Sequence, residues 1–440
     1  MPEVESLEVE SLDLEARGVA RRDGKVIFIE GALTGELVTT HTLRRKPSYE
    51  IARVEQILRE SNLRVKPKCR HFGMCGGCAM QHVDASAQVA IKQRALEDGL
   101  THIAGVKPER MLPPLHGPDW GYRFRARLGV RWVAKKNKIL VGFHERKSSF
   151  VADIEYCEIL PPHVARLLMP LRDLVGSLSE PDRIPQIEVA VGDRATALVL
   201  RHLLPLTAAD IAVLRAFAER YDIQWWLQSK GPDTVHPLVR EHETELAYTL
   251  PEFGLRMPFR PTDFTQVNQQ INRALVSRAL GLLQAGPGDR VADLFCGLGN
   301  FTLPLATQAR EVVGVEGSQS LVDRATQAAL DAGIVNAGFQ TLNLFEVNLQ
   351  WLEGLGKFDR ILIDPPREGA HAVSQALAQL PASLRPARIV YVSCNPGTLS
   401  RDTAILVHEG NYVLRAAGVI NMFPHTGHVE SIAVFEPGGL

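Results

Sequence analysis

From about residue 262 onward, apolar runs of strand length recur between segments of helical composition: RVADLF, EVVGVE, FDRILID, RIVYVS and ESIAVFE. A chain that alternates in this way buries its strands by laying helices on both faces of one mostly parallel sheet. The expected fold class is therefore α/β, with a doubly wound, Rossmann-like domain over 261–440 that opens on a helix across about 267–283. In such sheets ligands bind at the carboxyl ends of the strands. The residues that close each run are the ones to read for chemistry.

The first run closes in Asp293-Leu294-Phe295-Cys296-Gly297-Leu298-Gly299-Asn300. Its two glycines allow a tight turn and a close backbone approach to a ligand. Thr302 stands where a pyrophosphate-binding fingerprint would have its third glycine, which weakens a dinucleotide. Glu316 ends the second run, 23 residues after Asp293, where a carboxylate can accept ribose hydroxyls. These features fit S-adenosylmethionine better than NAD or FAD. The fourth strand ends in Asp364-Pro365-Pro366-Arg367; amine methyltransferases usually follow a similar Asp-Pro-Pro with an aromatic, so Arg367 demotes that chemistry. The fifth ends in Ser393-Cys394-Asn395-Pro396, which places a thiol for nucleophilic attack, provided its thiolate is stabilised. Cys296, inside the cofactor turn, reads as a packing thiol. The last strand is expected to carry Met422 to Ser431, with Glu430 either a general base or an ordinary surface glutamate.

Three of the six cysteines fall within ten residues, as Cys69, Cys75 and Cys78. This spacing reads as thiolate ligation of a metal. Cys157 is the best fourth ligand, because Cys296 and Cys394 sit in other motifs. Four thiolates suit zinc or an iron–sulfur cluster, and His71 and His82 are nearby alternative ligands for zinc.

The amino-terminal 1–65 reads as a small β-barrel of the OB type, with β-branched runs broken by Asp23-Gly24, Gly31 and Gly35. Arg44, Arg45 and Lys46 form a basic cluster on it. The central region, 66–260, is α+β and holds the cysteine loop. Helices are expected across about 84–104 and from Ala208 to Arg220, with strands at 186–191, 195–203 and 223–229. Residues 120–150 hold nine Lys or Arg and one acidic side chain. Arg123, Arg125 and Arg127 alternate with apolar residues, so period two places the guanidinium groups on one face of a strand. That face either meets phosphates, with Tyr122, Phe124 and Trp132 stacking on unpaired bases, or is a charged outer surface.

Forty-nine basic and fifty acidic residues nearly cancel, which excludes a globally basic nucleic-acid binder but not a basic patch. No apolar run reaches the length of a membrane span, and the acidic start MPEVESLEVESLDLE lacks the pattern of a signal peptide. A cytoplasmic protein, monomeric by default, is expected.

Taken together, DLFCGLGNF, the glutamate after VVGV, LIDPPR, YVSCNPGTL and MFPHTGHVE, with DFTQVN upstream, resemble the RNA uracil-5-methyltransferases in content and order. The amino-terminal barrel resembles a TRAM domain. The cysteine pattern resembles the family's iron–sulfur branch, which acts on 23S ribosomal RNA. The resemblance covers nearly the whole chain. It implies that Cys394 attacks C6 of a uracil, that C5 takes the methyl of S-adenosylmethionine, and that Glu430 removes the C5 proton. It also implies that Gln266, Phe295, Asn300, Glu316, Asn343 and Asp364 contact the cofactor, and that Cys69, Cys75, Cys78 and Cys157 hold a [4Fe–4S] cluster. The RNA partner would present a single-stranded or flipped-out uridine. Three rivals are weaker. A radical S-adenosylmethionine enzyme would show a different cysteine spacing and an open iron. A non-catalytic RNA-binding module would not need Cys394, Glu430 and Asp364 together. A tRNA-specific relative would lack the barrel and the cysteine loop.

Overall fold

The computed structural model describes residues 6–244 and 246–439. The carboxyl-terminal sheet has eight strands. Five are parallel, in spatial order Ala337–Thr341, Glu311–Glu316, Arg290–Leu294, Arg360–Ile363, Arg388–Ser393. The order reverses between Arg290–Leu294 and Arg360–Ile363. A crevice opens where connections leave a sheet in opposite directions, so the turn after Leu294 and the loop after Ile363 are its two walls. Glu430–Pro437 then adds antiparallel to Arg388–Ser393, followed by Tyr412–Ile420 and the short Arg110–Met111. Ala337–Thr341 was not among the expected apolar runs. It is a half-exposed edge strand and carries little apolar pattern.

Two segments assigned by position to the central region pack on this sheet instead. Helix Ala85–His102 buries Leu96 and Leu100 among Val419, Tyr391 and Ala433. Arg110–Met111 extends the sheet by parallel pairing with Ala416 and Ala417. The helix starts where Asp84 accepts from the backbone of Ser86 and Ala87, satisfying amides that have no partner inside the helix.

The central sheet runs His236–Pro237, Gln224–Gln228, Thr196–Arg201, Gln186–Val191, Arg125–Val133, Lys138–Gly142. Ala126, Leu128 and Val130 point into its core, as period two requires. The arginine face is only partly as expected. Arg123 precedes the strand and lies over the Phe143 ring. Arg125 is half-buried and donates to the Asp263 carbonyl, while Arg127 is exposed and pairs with Glu188 at 3.0 Å. Tyr122 is buried, its hydroxyl donating to the Pro424 carbonyl at 2.8 Å, and Phe124 packs on the core. Only Trp132 of the three aromatics is on the surface. Alternation identifies a strand's two faces; long-range packing decides which atoms of each face are covered.

The amino-terminal sheet closes on itself. Ser6–Glu8 pairs with Leu37–Arg45, and Ser11–Leu12 of the same segment pairs with Arg17–Arg22 at the opposite edge. Leu7, Val9, Ala20, Ile27, Ile29, Val38 and Ala52 fill the interior. Ala16 and Leu33 of this barrel pack with Met80, Val83 and Ala87, and Arg64 pairs with the fully buried Glu36 at 2.6 Å. Among the described residues no helix is long and apolar enough to cross a membrane.

The barrel also touches the chain just before the last strand. A Cβ on Gly427 would collide with the Leu14 carbonyl oxygen. A backbone neighbour cannot swing aside as a side chain can, so Gly427→Ala must push the barrel off. The expected cost is about 1–3 kcal/mol, read as a lower thermal midpoint together with faster proteolysis of residues 60–68. Unchanged stability and unchanged cleavage would show that this contact does not hold the barrel in place.

Candidate active site and cysteine loop

The turn after the first strand is built around backbone strain and one buried carboxylate. Phe295 has φ +65°, unusual for a side chain of that size, and its N–H donates to the Val315 carbonyl at 2.9 Å. Gly297 (φ +54°) donates to Glu316 Oε2 at 3.1 Å, and Ser318 N–H donates to Glu316 Oε1 at 3.0 Å. Glu316 therefore stands at the end of its strand, facing the turn, with both carboxylate oxygens taking backbone N–H groups. Asp293 beneath is wholly buried and accepts from the Thr302 hydroxyl at 2.5 Å. Thr302 thus uses the missing third glycine's position to tie down the turn. Burial pushes the Asp293 carboxyl up to about 7 against that hydrogen bond.

Asn300 is locked into a reciprocal amide pair with Asn272, at 2.9 and 3.0 Å, and also accepts from the Tyr248 hydroxyl. Asn343 caps its own turn by accepting from Phe345 N–H at 3.1 Å, and Phe345 lies 5.5 Å from the Phe295 ring. Gln266 is half-buried, two residues beyond Phe264, which is 75% exposed. Of the residues expected to meet a cofactor, Phe295, Glu316, Asn343 and Asp364 lie at or just past the carboxyl ends of the parallel strands. Asn300 is committed to neighbouring side chains.

Strand register assembles the reacting groups. Ser393 pairs with Ser431 across the antiparallel ladder, so the next residues outward, Cys394 and Glu430, stand opposite each other at the ligand edge. Asp364 follows Ile363 on the adjoining strand, its N–H donating to the Leu294 carbonyl. Asn395 caps the helix Pro396–Ala404 and donates to the Arg367 carbonyl, tying Cys394's loop to the Asp-Pro-Pro-Arg loop. Residues 422–429 are a connection rather than strand; the strand begins at Glu430.

Glu430 is not a surface glutamate: it is 3% exposed. Burial, reinforced by Asp364, holds its carboxyl well above the usual range. Asp364 is raised to about 7 by burial and by Asp293. The surroundings of the thiol do not supply the thiolate stabilisation that nucleophilic attack requires. Burial, then Glu430 and Asp364, push Cys394 up to about 11, with Arg367 opposing.

The cysteine loop forms a second centre. Cys69, Cys75, Cys78 and Cys157 line one cavity with His71, Phe72, Phe143 and Ile154. Gln81 accepts from Cys69 N–H, and Gly76 donates to the His144 carbonyl, folding the loop onto the Lys138–Gly142 hairpin region. Burial, with the thiols' mutual repulsion adding, raises Cys78 and Cys157 to about 12. His82 does not line the cavity; it is buried against Phe72, ring centroids 5.3 Å apart. Among the described residues no group of three or more His, Cys, Asp or Glu side chains could hold a metal ion.

The chain matches the family model for tRNA (Uracil-5-)-methyltransferase over residues 249–436. It is 72% identical over 434 residues to a Bordetella bronchiseptica protein named 23S rRNA (uracil(1939)-C(5))-methyltransferase RlmD, covering 98% of this chain and 93% of that protein. A Cupriavidus necator protein of the same name is 61% identical, covering 98% of this chain and all of that one. The chain belongs to the RNA uracil-5-methyltransferase family. Among solved structures, a Pyrococcus abyssi tRNA (uracil-54, C5)-methyltransferase in complex with S-adenosyl-L-homocysteine shares the fold, with TM-score 0.73 at 23% identity over 98% of this chain and 100% of that one.

Within this uracil-5-methyltransferase, reading the sequence missed the side chains that hold the 421–429 connection. Lys92 and Gln88 lie in an ordinary Ala-, Gln- and Lys-rich helix, and Trp120 stacks on His425 at 4.0 Å. A helix sequence gives no sign of a lysine that tertiary packing will bury.

The raised thiol has a direct consequence. In the free protein, alkylation of Cys394 followed by peptide mass spectrometry should accelerate by about tenfold per pH unit from about pH 7 to about pH 10, because the thiolate fraction is still growing throughout. A plateau below about pH 9 would mean that the neighbouring carboxyls do not suppress ionisation.

Proposed function

We propose that this enzyme methylates C5 of a uridine in 23S ribosomal RNA through a covalent bond between Cys394 and uracil C6. The observation that carries the reading is the register that sets Cys394 opposite Glu430, beside Asp364 and the Phe295–Asn300 turn. S-adenosylmethionine supplies an electrophilic methyl group when bound. Glu316, Phe295, Asn343, Gln266 and Asp364 are the residues assigned to hold it, with Asn300 supporting the turn through Asn272.

Uracil C5 is a poor nucleophile. Cys394 first loses its thiol proton to solvent, and addition of the thiolate to C6 pushes the C5=C6 electron pair toward the C4 carbonyl and makes C5 an enolate carbon. C5 then takes the methyl, and the S–CH3 electron pair stays with the donor's sulfur. Glu430 removes the C5 proton, the C5–H electron pair re-forms C5=C6, and the C6–S bond breaks, returning the sulfur to Cys394. Burial raises the proton affinity of the Glu430 carboxyl, so it must first give up its own proton, and once ionised it is a strong base for this step. Asp364, near neutrality, can relay the proton to and from solvent. The target base must leave its stack at a cost of a few kcal/mol, which favours a loop or bulge.

We further assign a [4Fe–4S] cluster to Cys69, Cys75, Cys78 and Cys157. The donor set supports it: four cysteine side chains line one cavity, Cys157 buried and the other three half-buried. A multi-iron cluster needs its thiolates spread around an object larger than one ion. With all four sites used, the group would organise the loop and leave no iron open for chemistry.

Cys394→Ala should abolish methyl transfer while S-adenosylmethionine still binds by calorimetry. Glu430→Gln should let attack and methylation proceed but stall release, leaving an RNA–protein adduct on denaturing gels; a variant that releases normally would move the base elsewhere. Mapping 5-methyluridine in ribosomal and transfer RNA of a deletion strain separates the two substrates. Anaerobically purified protein should be brown, and Cys157→Ser should lose iron and colour. A colourless, fully active preparation that carries zinc refutes the cluster.

A further inference from the structure

The last strand runs against its parallel neighbours, so its first residue, Glu430, lies at their carboxyl edge. The chain reaches that point through 421–429, which joins Ile420 to Glu430, themselves cross-strand partners. The ladder fixes the course of the strand, and this connection bears on how firmly its terminal pair, Ile420 and Glu430, is held.

Helix Ala85–His102 supplies much of that hold. Lys92 is fully buried, and its ammonium donates to Asn421 Oδ1 and to the Phe423 carbonyl, both at 2.8 Å. One turn earlier on the same face, the Gln88 amide accepts from His425 N–H at 2.7 Å and faces His425 Nδ1 at 3.1 Å. Asn421 adjoins Ile420, and its own N–H donates to the Leu115 carbonyl. The acceptors that Lys92 meets are neutral, and burial pulls the amine down to about 7. A methionine would fill the space without desolvating an amine. What the lysine adds is two directed hydrogen bonds onto the connection. It does not tune Glu430 by charge, since that carboxyl's shift comes from burial and Asp364.

We propose that Lys92 is a positioning residue for the proton-removal step: by holding Asn421 and the Phe423 carbonyl it keeps the terminal Ile420–Glu430 pair, and with it the Glu430 carboxyl, in line, and without it methylation proceeds while release stalls. The inference rests on Glu430 being the base.

The test uses the full-length protein, S-adenosylmethionine and a 23S ribosomal RNA fragment containing the target uridine. Lys92→Met should keep cofactor and RNA affinity within about threefold and slow release by roughly 10–100-fold, the scale of a small misplacement of a reacting group. The covalent adduct should accumulate on denaturing gels. Lys92→Arg, which can still donate to both acceptors, should restore most of the release rate. Asn421→Leu removes one acceptor and leaves the lysine in place. It should show the same partition, and it decides the matter if Lys92→Met does not fold. Glu430→Gln is run in parallel. If it accumulates adduct while Lys92→Met and Asn421→Leu turn over normally, or lose attack and release in equal proportion, the positioning role is wrong and the base stands. If Glu430→Gln itself gives no adduct, the base assignment falls and this inference with it.

Discussion

The antiparallel pairing of Arg388–Ser393 with Glu430–Pro437 is the constraint on which the active centre depends. Parallel strands deliver their last residues to the ligand edge of a sheet, and an antiparallel neighbour delivers its first. One ladder therefore presents a thiol from the end of one strand and a carboxyl from the start of the next, with no flexible segment between either group and its strand. A one-residue slip would carry both side chains to opposite faces. The hydrophobic residues that alternate along these strands, such as Ile389, Val392, Ile432 and Phe435, thereby also set the catalytic geometry.

The same arrangement crowds negative charge. Asp293, Asp364 and Glu430 line the base of one crevice, and each is shifted upward by burial. Buried carboxyls without cationic partners keep protons near neutral pH. Cys394 feels this surrounding and resists ionisation.

The centre is not confined to the carboxyl-terminal domain. The His425 carbonyl accepts from Ala79 and Met80 N–H groups at 2.8 and 2.9 Å, directly after Cys78. Leu14 of the barrel lies against Gly427. Tyr122 reaches the Pro424 carbonyl from the edge of the central sheet. Three separate parts of the chain thus meet on the connection that precedes Glu430. This gives a physical route by which elements outside the carboxyl-terminal sheet, the cysteine loop included, bear on Glu430.

Much of the site was legible because its residues close strands. Asp293, Glu316, Asp364 and Cys394 each follow an apolar run, and a doubly wound sheet brings such positions together whatever the loops do. The clustered cysteines were legible from spacing alone. Properties set by partners distant in sequence were not. On the arginine strand, read as facing phosphates or as a charged surface, Arg125 is tucked against the Asp263 carbonyl, and Tyr122 is buried where the connection at 421–429 packs. The ionisation of Cys394 and Glu430 follows from mutual burial, which no local pattern encodes. Lys92 looked like any solvent-facing helix residue until the helix docked on the catalytic sheet. Periodicity and turn chemistry are short-range and determine where strands begin, end and expose a functional group. Desolvation, register and hydrogen bonding between remote segments act only once the layers have packed, and they alone decided which of those groups react and what holds them in line.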